Sequence, residues 1–259
     1  MDLVHVVADG PLLLIKINRP EKLNALTPAM YHAIGKALWR LNHDAELRVA
    51  VLHAEGPHFT AGLQLDLWAD AFGSATPFAA GTGEVDLFGL TGECHAKPLV
   101  IAVQGYCFTW GVEALLNTEI RIAARDTQFQ MLEVRRGIYP CGGATLRLPR
   151  EVGWGNAHRV LLTGERWSAE DAWRWGMVQE LVEPGAQLAK AIECAGAIAA
   201  AAPLGVQGCL KATRTALTAD HDTAVRQMFG DLAHVMRSED AAEGVRSFVE
   251  RRPARFVGR

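Results

Sequence analysis

The run from Pro98 to Gln104 constrains this chain more than any other stretch: it is apolar from Leu99 to Val103, has the length of a strand, and stops at Gly105. A helical segment begins near Trp110, only a few residues later. A strand that passes through one glycine turn into a helix is the unit of a mixed α/β fold. Similar alternation runs along much of the chain. Residues 1–20 read as two strands, and their apolar run is broken by Lys16, Asn18 and Arg19, so no secretory signal is expected. Thr27 and Pro28 supply an N-cap and a first-turn proline for a helix to about Leu41, and Arg48 to His53 reads as the next strand. Short strands are expected at 120–123 and 128–131 and helices at 142–150 and 155–162. Ser168 with Asp171 resembles a capping box for a helix ending at Gly176.

Past Pro184 the strand signal stops, and alanine, leucine and charged residues carry a helical tail broken at Pro203, Asp220 and Ser238. Between Leu67 and Gly92 the chain is rich in Gly, Ala, Thr and Phe without a clear period, which reads as a long surface segment or mobile cover. No internal repeat stands out.

The formal charge of -3 is small, and no polybasic run or interleaved aromatic stripe is present. That argues against nucleic acid or an acidic membrane as partner. No segment carries about 20 unbroken apolar residues, so no membrane span is expected. The five cysteines lack metal-ligand spacing and are odd in number, which disfavours a disulfide framework or structural zinc. Reduced thiols in a cytoplasmic protein are the expectation. Motifs for a phosphate loop, dinucleotide binding, zinc proteolysis and a serine nucleophile elbow are missing, and the nine histidines are scattered.

Two glycine-bearing turns remain, Gly56–Leu63 and Gly105–Gly111, together with two glutamates, Glu113 and Glu133. Either turn alone reads as a tight turn; Trp110, at a helix start, also has a backbone N–H free to bind a developing oxyanion. Taken singly, Glu113 reads as a helix N-terminal acid and Glu133 as a surface charge beside Arg135 and Arg136. Brought together, the two carboxyls would raise each other's proton affinity, so that acid and base coexist in one pocket.

The ordered segments Asn18–Leu26 (NRPEKLNAL), Phe59–Leu63 (FTAGL), Lys97–Tyr106 (KPLVIAVQGY), Gly111–Glu113 (GVE) and Ile138–Arg150 (IYPCGGATLRLPR) resemble the crotonase, or enoyl-CoA hydratase and isomerase, superfamily. The likeness continues through Leu161–Glu165 and from Ala169 to Val182. It implies a spiral of strand-strand-helix turns over about residues 1–200 and a helical region over 201–259 that forms a homotrimer or a dimer of trimers. It also implies an acyl-CoA thioester substrate, with no metal or redox cofactor, and an enolate held by the backbone N–H groups of Leu63 and Trp110. Glu113 and Glu133 match the positions and twenty-residue spacing of the hydratase acid pair. Isomerases of the superfamily often keep only the second. Lys22, Leu23, Phe59, Thr60, Ala61, Gly62 and Gly111 fall where the family contacts substrate or CoA, and Trp68, Phe72 and Phe78 where the acyl chain would lie.

The expected activity is therefore hydration of a 2-enoyl-CoA. A double-bond isomerase, a hydrolase or a non-catalytic acyl-CoA or interaction protein of the same fold stays open. Two departures bear on the substrate. Phe108, Thr109, Trp110 and Gly111 stand where hydratases carry a run of glycines, and Gln64 stands where they often carry Asp, with Asp66 two positions on.

Overall fold

The structure is a computed structural model that describes residues 2–74 and 76–259. Its larger sheet has six strands: β1 (Val4–Asp9), β2 (Leu12–Ile17), β3 (Val49–Ala54), β4 (Leu99–Val103), β6 (Ile120–Ala124) and β9 (Glu180–Val182), neighbours in that order. Only the β1–β2 hairpin is antiparallel; the other pairings are parallel. A smaller sheet holds β5 (Tyr106–Phe108), β7 (Gln128–Gln130) and β8 (Arg166–Ser168). The helices are α1 (Pro28–His43), α2 (Ala69–Phe72), α3 (Trp110–Leu116), α4 (Ala144–Val152), α5 (Trp154–Thr163), α6 (Ala169–Arg174), α7 (Gln187–Ala200), α8 (Pro203–Thr218), α9 (His221–Val235) and α10 (Glu239–Glu250).

Strand periodicity explains why β4 is apolar throughout. Leu99, Ile101 and Val103 point into the main core with α1 and α3 residues, while Val100 and Ala102 point to the opposite face. That face is covered by α7, whose Ala191, Ala195 and Ala199 recur at helical spacing. Small side chains there let the helix lie close against Val49, Val51, Val100 and Ile122. Each fully buried Val, Leu or Ile contributes about 1.5–3 kcal/mol.

Local signals place the other elements. Thr27 accepts the Met30 N–H at the start of α1, and Ser168 and Asp171 form a reciprocal capping box at α6. Pro203 opens α8, and Asp220 and Ser238 cap α9 and α10. The tail is helical as expected.

Three expectations need correction. The segment from Leu67 to Gly92 is not a surface cover: Trp68, Phe78, Val85, Leu87 and Phe88 are buried in the main core. Tyr31 anchors it, bonding the Phe78 carbonyl and Asp86, and Asp86 also accepts the Phe88, Leu90 and Thr91 N–H groups. The backbone does repeat, although no sequence repeat is visible. The strands β4 and β6 each continue into a short strand of the smaller sheet, β5 and β7, and after β3 a matching segment bridges Thr60 to Cys107. Strands β5 and β8, of three residues each, are not among the expected strands: each runs within two residues into a helix, whose signal masks it. No single helix among the described residues is long and apolar enough to cross a membrane, although α7 and α8 would pass together but for a 107° bend between them.

Candidate active site

Three parallel segments end side by side. The Thr60 N–H donates to the Tyr106 carbonyl and the Phe108 N–H to the Thr60 carbonyl, so the first turn runs as a strand beside β5, which pairs in parallel with β7. Past their C-terminal ends come Leu63, then Trp110 and Glu113, then Glu133. One end of a small sheet thus gathers what lies seventy residues apart in sequence.

The first turn is knotted to the segment that precedes α1. Asn24, fully buried in a left-handed conformation (φ 55°), donates to the Glu55 and His58 carbonyls and accepts the Arg19 N–H. Thr60 Oγ1 donates to the Asn24 carbonyl, and the Ala61 N–H to the Leu23 carbonyl. Gly105 permits the second turn: it sits at φ 54°, and a side chain there would overlap the Pro57 carbonyl. Thr109 holds φ 49° and ψ -112°, a strained region for a residue with a Cβ, costing about 1–3 kcal/mol. That strain turns the chain sharply into α3.

The cavity at this junction has a volume of about 180 Å³ and is lined by Ala61, Gly62, Leu63, Leu65, Phe72, Phe78, Thr109, Trp110, Glu113, Leu132, Glu133, Arg136, Ile138 and Cys141. Both glutamates and both backbone donor positions therefore face one space. Neither the Leu63 nor the Trp110 N–H donates to another protein group among the described residues. Trp110, where a glycine was expected, keeps its backbone available because its ring is buried against Phe59 and its indole N–H donates to the Gly62 carbonyl at 3.0 Å.

Glu113 is buried at 3 % exposure, and its Oε1 accepts the Gly142 N–H at 2.7 Å and the Ala144 N–H at 3.3 Å, at the start of α4. Burial, followed by the charge of Glu133, pushes its carboxyl up to about 8, against the pull of those two N–H groups and Arg147. Burial likewise raises Glu133 to about 7, and its Oε2 is buried with no protein partner. Two carboxyls so placed titrate as a pair, and near neutrality they hold about one proton between them.

The remaining sequence candidates divide. Ala61 and Gly62 line the cavity, and Lys22 and Leu23 are exposed beside it, next to Ala61. Phe59 and Thr60 are fully buried, and Gly111 packs against both, where a side chain would overlap Thr60 Cγ2. These three line no part of the cavity and support the turns from beneath. Phe72 and Phe78 line the cavity, whereas Trp68 lies behind them with its indole N–H on the Leu26 carbonyl. Sequence reasoning missed Gly142 and Ala144 as holders of Glu113, and Cys141 beside both acids, whose thiol burial and the two carboxylates push up to about 11. The pair of glycines opening α4 was the available signal. Among the described residues no group of three or more His, Cys, Asp or Glu is placed to hold a metal ion.

Residues 8–259 match the family model described as enoyl-CoA hydratase/isomerase. The chain is 33 % identical to enoyl-CoA hydratase EchA19 of Mycobacterium tuberculosis, over 96 % of this chain and 94 % of that one. It is 34 % identical to a carnitinyl-CoA dehydratase of Salmonella arizonae, over 98 % of each. The crystal structure of enoyl-CoA hydratase EchA1 from Mycobacterium marinum superposes with a TM-score of 0.91 at 38 % identity, covering 99 % of both chains.

Proposed function

Because the chain belongs to the enoyl-CoA hydratase/isomerase family, the crotonase superfamily, we propose that it adds water across the 2,3-double bond of a short 2-enoyl-CoA, or removes it in reverse. The observation that carries this reading is the joint exposure of Glu113, Glu133, Leu63 and Trp110 to one cavity, with both carboxyls raised toward neutrality. Hydration needs a base for water and an acid for carbon in one place, and a single-proton pair is both at once.

In the forward direction the thioester carbonyl accepts the Leu63 and Trp110 N–H groups. A water held between the glutamates loses a proton to Glu113 as its oxygen bonds to C3. The C2–C3 π electrons move toward the carbonyl, forming an enolate that the two N–H groups hold. Glu133 then delivers a proton to C2. Each backbone donor is worth on the order of 3 kcal/mol to such a transition state. The Gly142 and Ala144 N–H groups favour the ionised form of Glu113, which suits it to the water. Which carboxyl has the higher value in the free pair does not decide the roles, since the pair titrates as a unit.

A cavity of 180 Å³ has room for roughly six waters, which favours a short acyl chain bounded by Phe72 and Phe78. Lys22 is the candidate for a CoA phosphate, with Leu23 and Ala61 along the pantetheine. The reaction itself draws on CoA as a substrate handle and on no further cofactor. The helix α9 buries none of its residues in the single chain, and Phe229, Leu232, Phe248 and Val249 on α9 and α10, with Met236 just past α9, are exposed. That surface supports self-association of the tail as a trimer or a pair of trimers.

The test is loss of the enoyl-thioester absorbance with short and medium 2-enoyl-CoA, with products identified by mass, in the wild type and in Glu113→Gln and Glu133→Gln. A water adduct formed by the wild type and lost in both variants is expected. Full activity in either variant would remove the acid pair from the mechanism. Migration of a double bond without water addition would move the isomerase reading, which relies mainly on Glu133, to the front.

A further inference from the structure

The peptide between Gly62 and Leu63 is one rigid unit: its carbonyl oxygen belongs to Gly62 and its N–H to Leu63. That oxygen accepts the Leu26 N–H at 2.9 Å and the Trp110 indole N–H at 3.0 Å, and the Thr60 hydroxyl, which also donates to the Asn24 carbonyl, lies 3.4 Å away. We propose that the Trp110 side chain is a positioning residue for the opposite turn, fixing the direction of the Leu63 N–H and strengthening it as a donor to the substrate oxyanion. The inference rests on the hydratase reading and deepens it.

Three features support the assignment. Gly62 sits at φ 121°, a conformation side chains rarely adopt, and has no room for one, since a Cβ would come within 2.8 Å of Thr109 Oγ1. The peptide that follows it is held on one side by the Leu26 N–H, and the indole is the second strong donor that fixes its plane. A donor on its carbonyl both holds the plane and draws electron density from the nitrogen, which strengthens the N–H as a donor by about 10–30 %. The bond is made in a dry place, with Trp110 at 1 % exposure, where polarisation is least screened. Finally, the same residue supplies its own backbone N–H at the head of α3. One residue thus presents one donor and aims the other, so the two turns form a single unit. It is also the residue that departs from the glycine run expected at this turn, and a glycine has no side chain with which to make the bond.

The simpler alternative is that the indole N–H, being buried, merely needs a partner. Trp110→Phe, which keeps a ring without the donor, and replacement of Trp110 by benzothienylalanine, which keeps the shape, separate the two. The first readout is the Leu63 amide proton shift in ligand-free protein labelled with nitrogen-15 leucine. The second is kcat and KM on the short enoyl-CoA. The third is the infrared carbonyl stretch of a bound saturated acyl-CoA. We expect the Leu63 proton to move upfield in both variants, kcat to fall about tenfold with KM within about twofold, and the bound carbonyl stretch to rise. An unmoved Leu63 proton, or unchanged kcat in variants that fold, would overturn the proposal. Should the wild type turn over no enoyl-CoA, the hydratase reading falls by itself. The amide and carbonyl shifts then decide the brace, and no change in either overturns it.

Discussion

Glu113 and Gly142 compete for the same space. Glu113 Oε1 accepts the Gly142 N–H at 2.7 Å, and a methyl group on Gly142 would overlap Glu113 Oε2. The absence of a side chain at Gly142 is what lets the carboxyl settle against the head of α4, held by two N–H groups and turned to the cavity. Gly142→Ala should therefore shift the carboxyl without unfolding the chain. Steady-state kinetics should show kcat reduced by about a hundredfold, the scale of a displaced catalytic group, with KM little changed.

On the proposed hydration mechanism, the coupled acids set the pH dependence of turnover. With values of about 7 and about 8, the singly protonated pair dominates in a narrow window between them. Below it both carboxyls are protonated and no base remains; above it both are ionised and no acid remains. A plot of kcat/KM against pH should be a bell centred between those values. In Glu113→Gln whatever activity survives should lose one limb of that bell.

Stability should respond in the opposite sense. The folded chain holds the Glu113 proton up to about 8, whereas an ordinary glutamate releases it near 4.5. Between those values the folded state binds more protons than the unfolded one, so stability falls as pH rises. Each unit of difference corresponds to about 1.4 kcal/mol before relaxation of the pocket. Glu113→Gln should then melt higher than the wild type at pH 9 and nearly alike at pH 5, as thermal unfolding at the two values would reveal. An equal offset at both would remove the burial of charge as its cause.

Phe72 is half-buried on the cavity wall and touches Trp68 and Phe78. Phe72→Ala should enlarge the space for the acyl chain at a modest cost in stability. In a series of enoyl-CoA substrates, kcat/KM should shift toward longer chains by roughly tenfold, the discrimination that one or two methylenes allow in an apolar pocket.

Much of this was legible locally. The Thr27 cap, the Ser168 capping box, the apolar run of β4 and the starts at Pro203, Asp220 and Ser238 each depend on a few adjacent residues. Failures occurred where distance in sequence decides. Trp68, Phe78 and Phe88 read as loop aromatics until Tyr31, far back in the chain, and Asp86, within the segment, are seen to fasten that segment inside the core. The meeting of Glu113 with Glu133 depends on the parallel pairing of β5 and β7, and β5 is three residues wedged between a glycine and a helix. The resemblance to a family carried the pairing of the acids. It did not carry the burial of Phe59, Thr60 and Gly111, since a motif records which residues recur and not which face the solvent.

The parallel ends of the small sheet separate two kinds of change. The acids and backbone donors are delivered by β5, β7 and the turn beside them, whose spacing is fixed by main-chain bonds. Phe72 and Phe78 come instead from the later segment between Leu67 and Gly92, which adds no polar group to the cavity lining. The cavity-facing side chains of that segment can be exchanged without moving a proton donor. Under the proposed function, substrate preference and proton chemistry are thus inherited on different pieces of chain, and a descendant of this protein can acquire a new acyl group while keeping its old reaction.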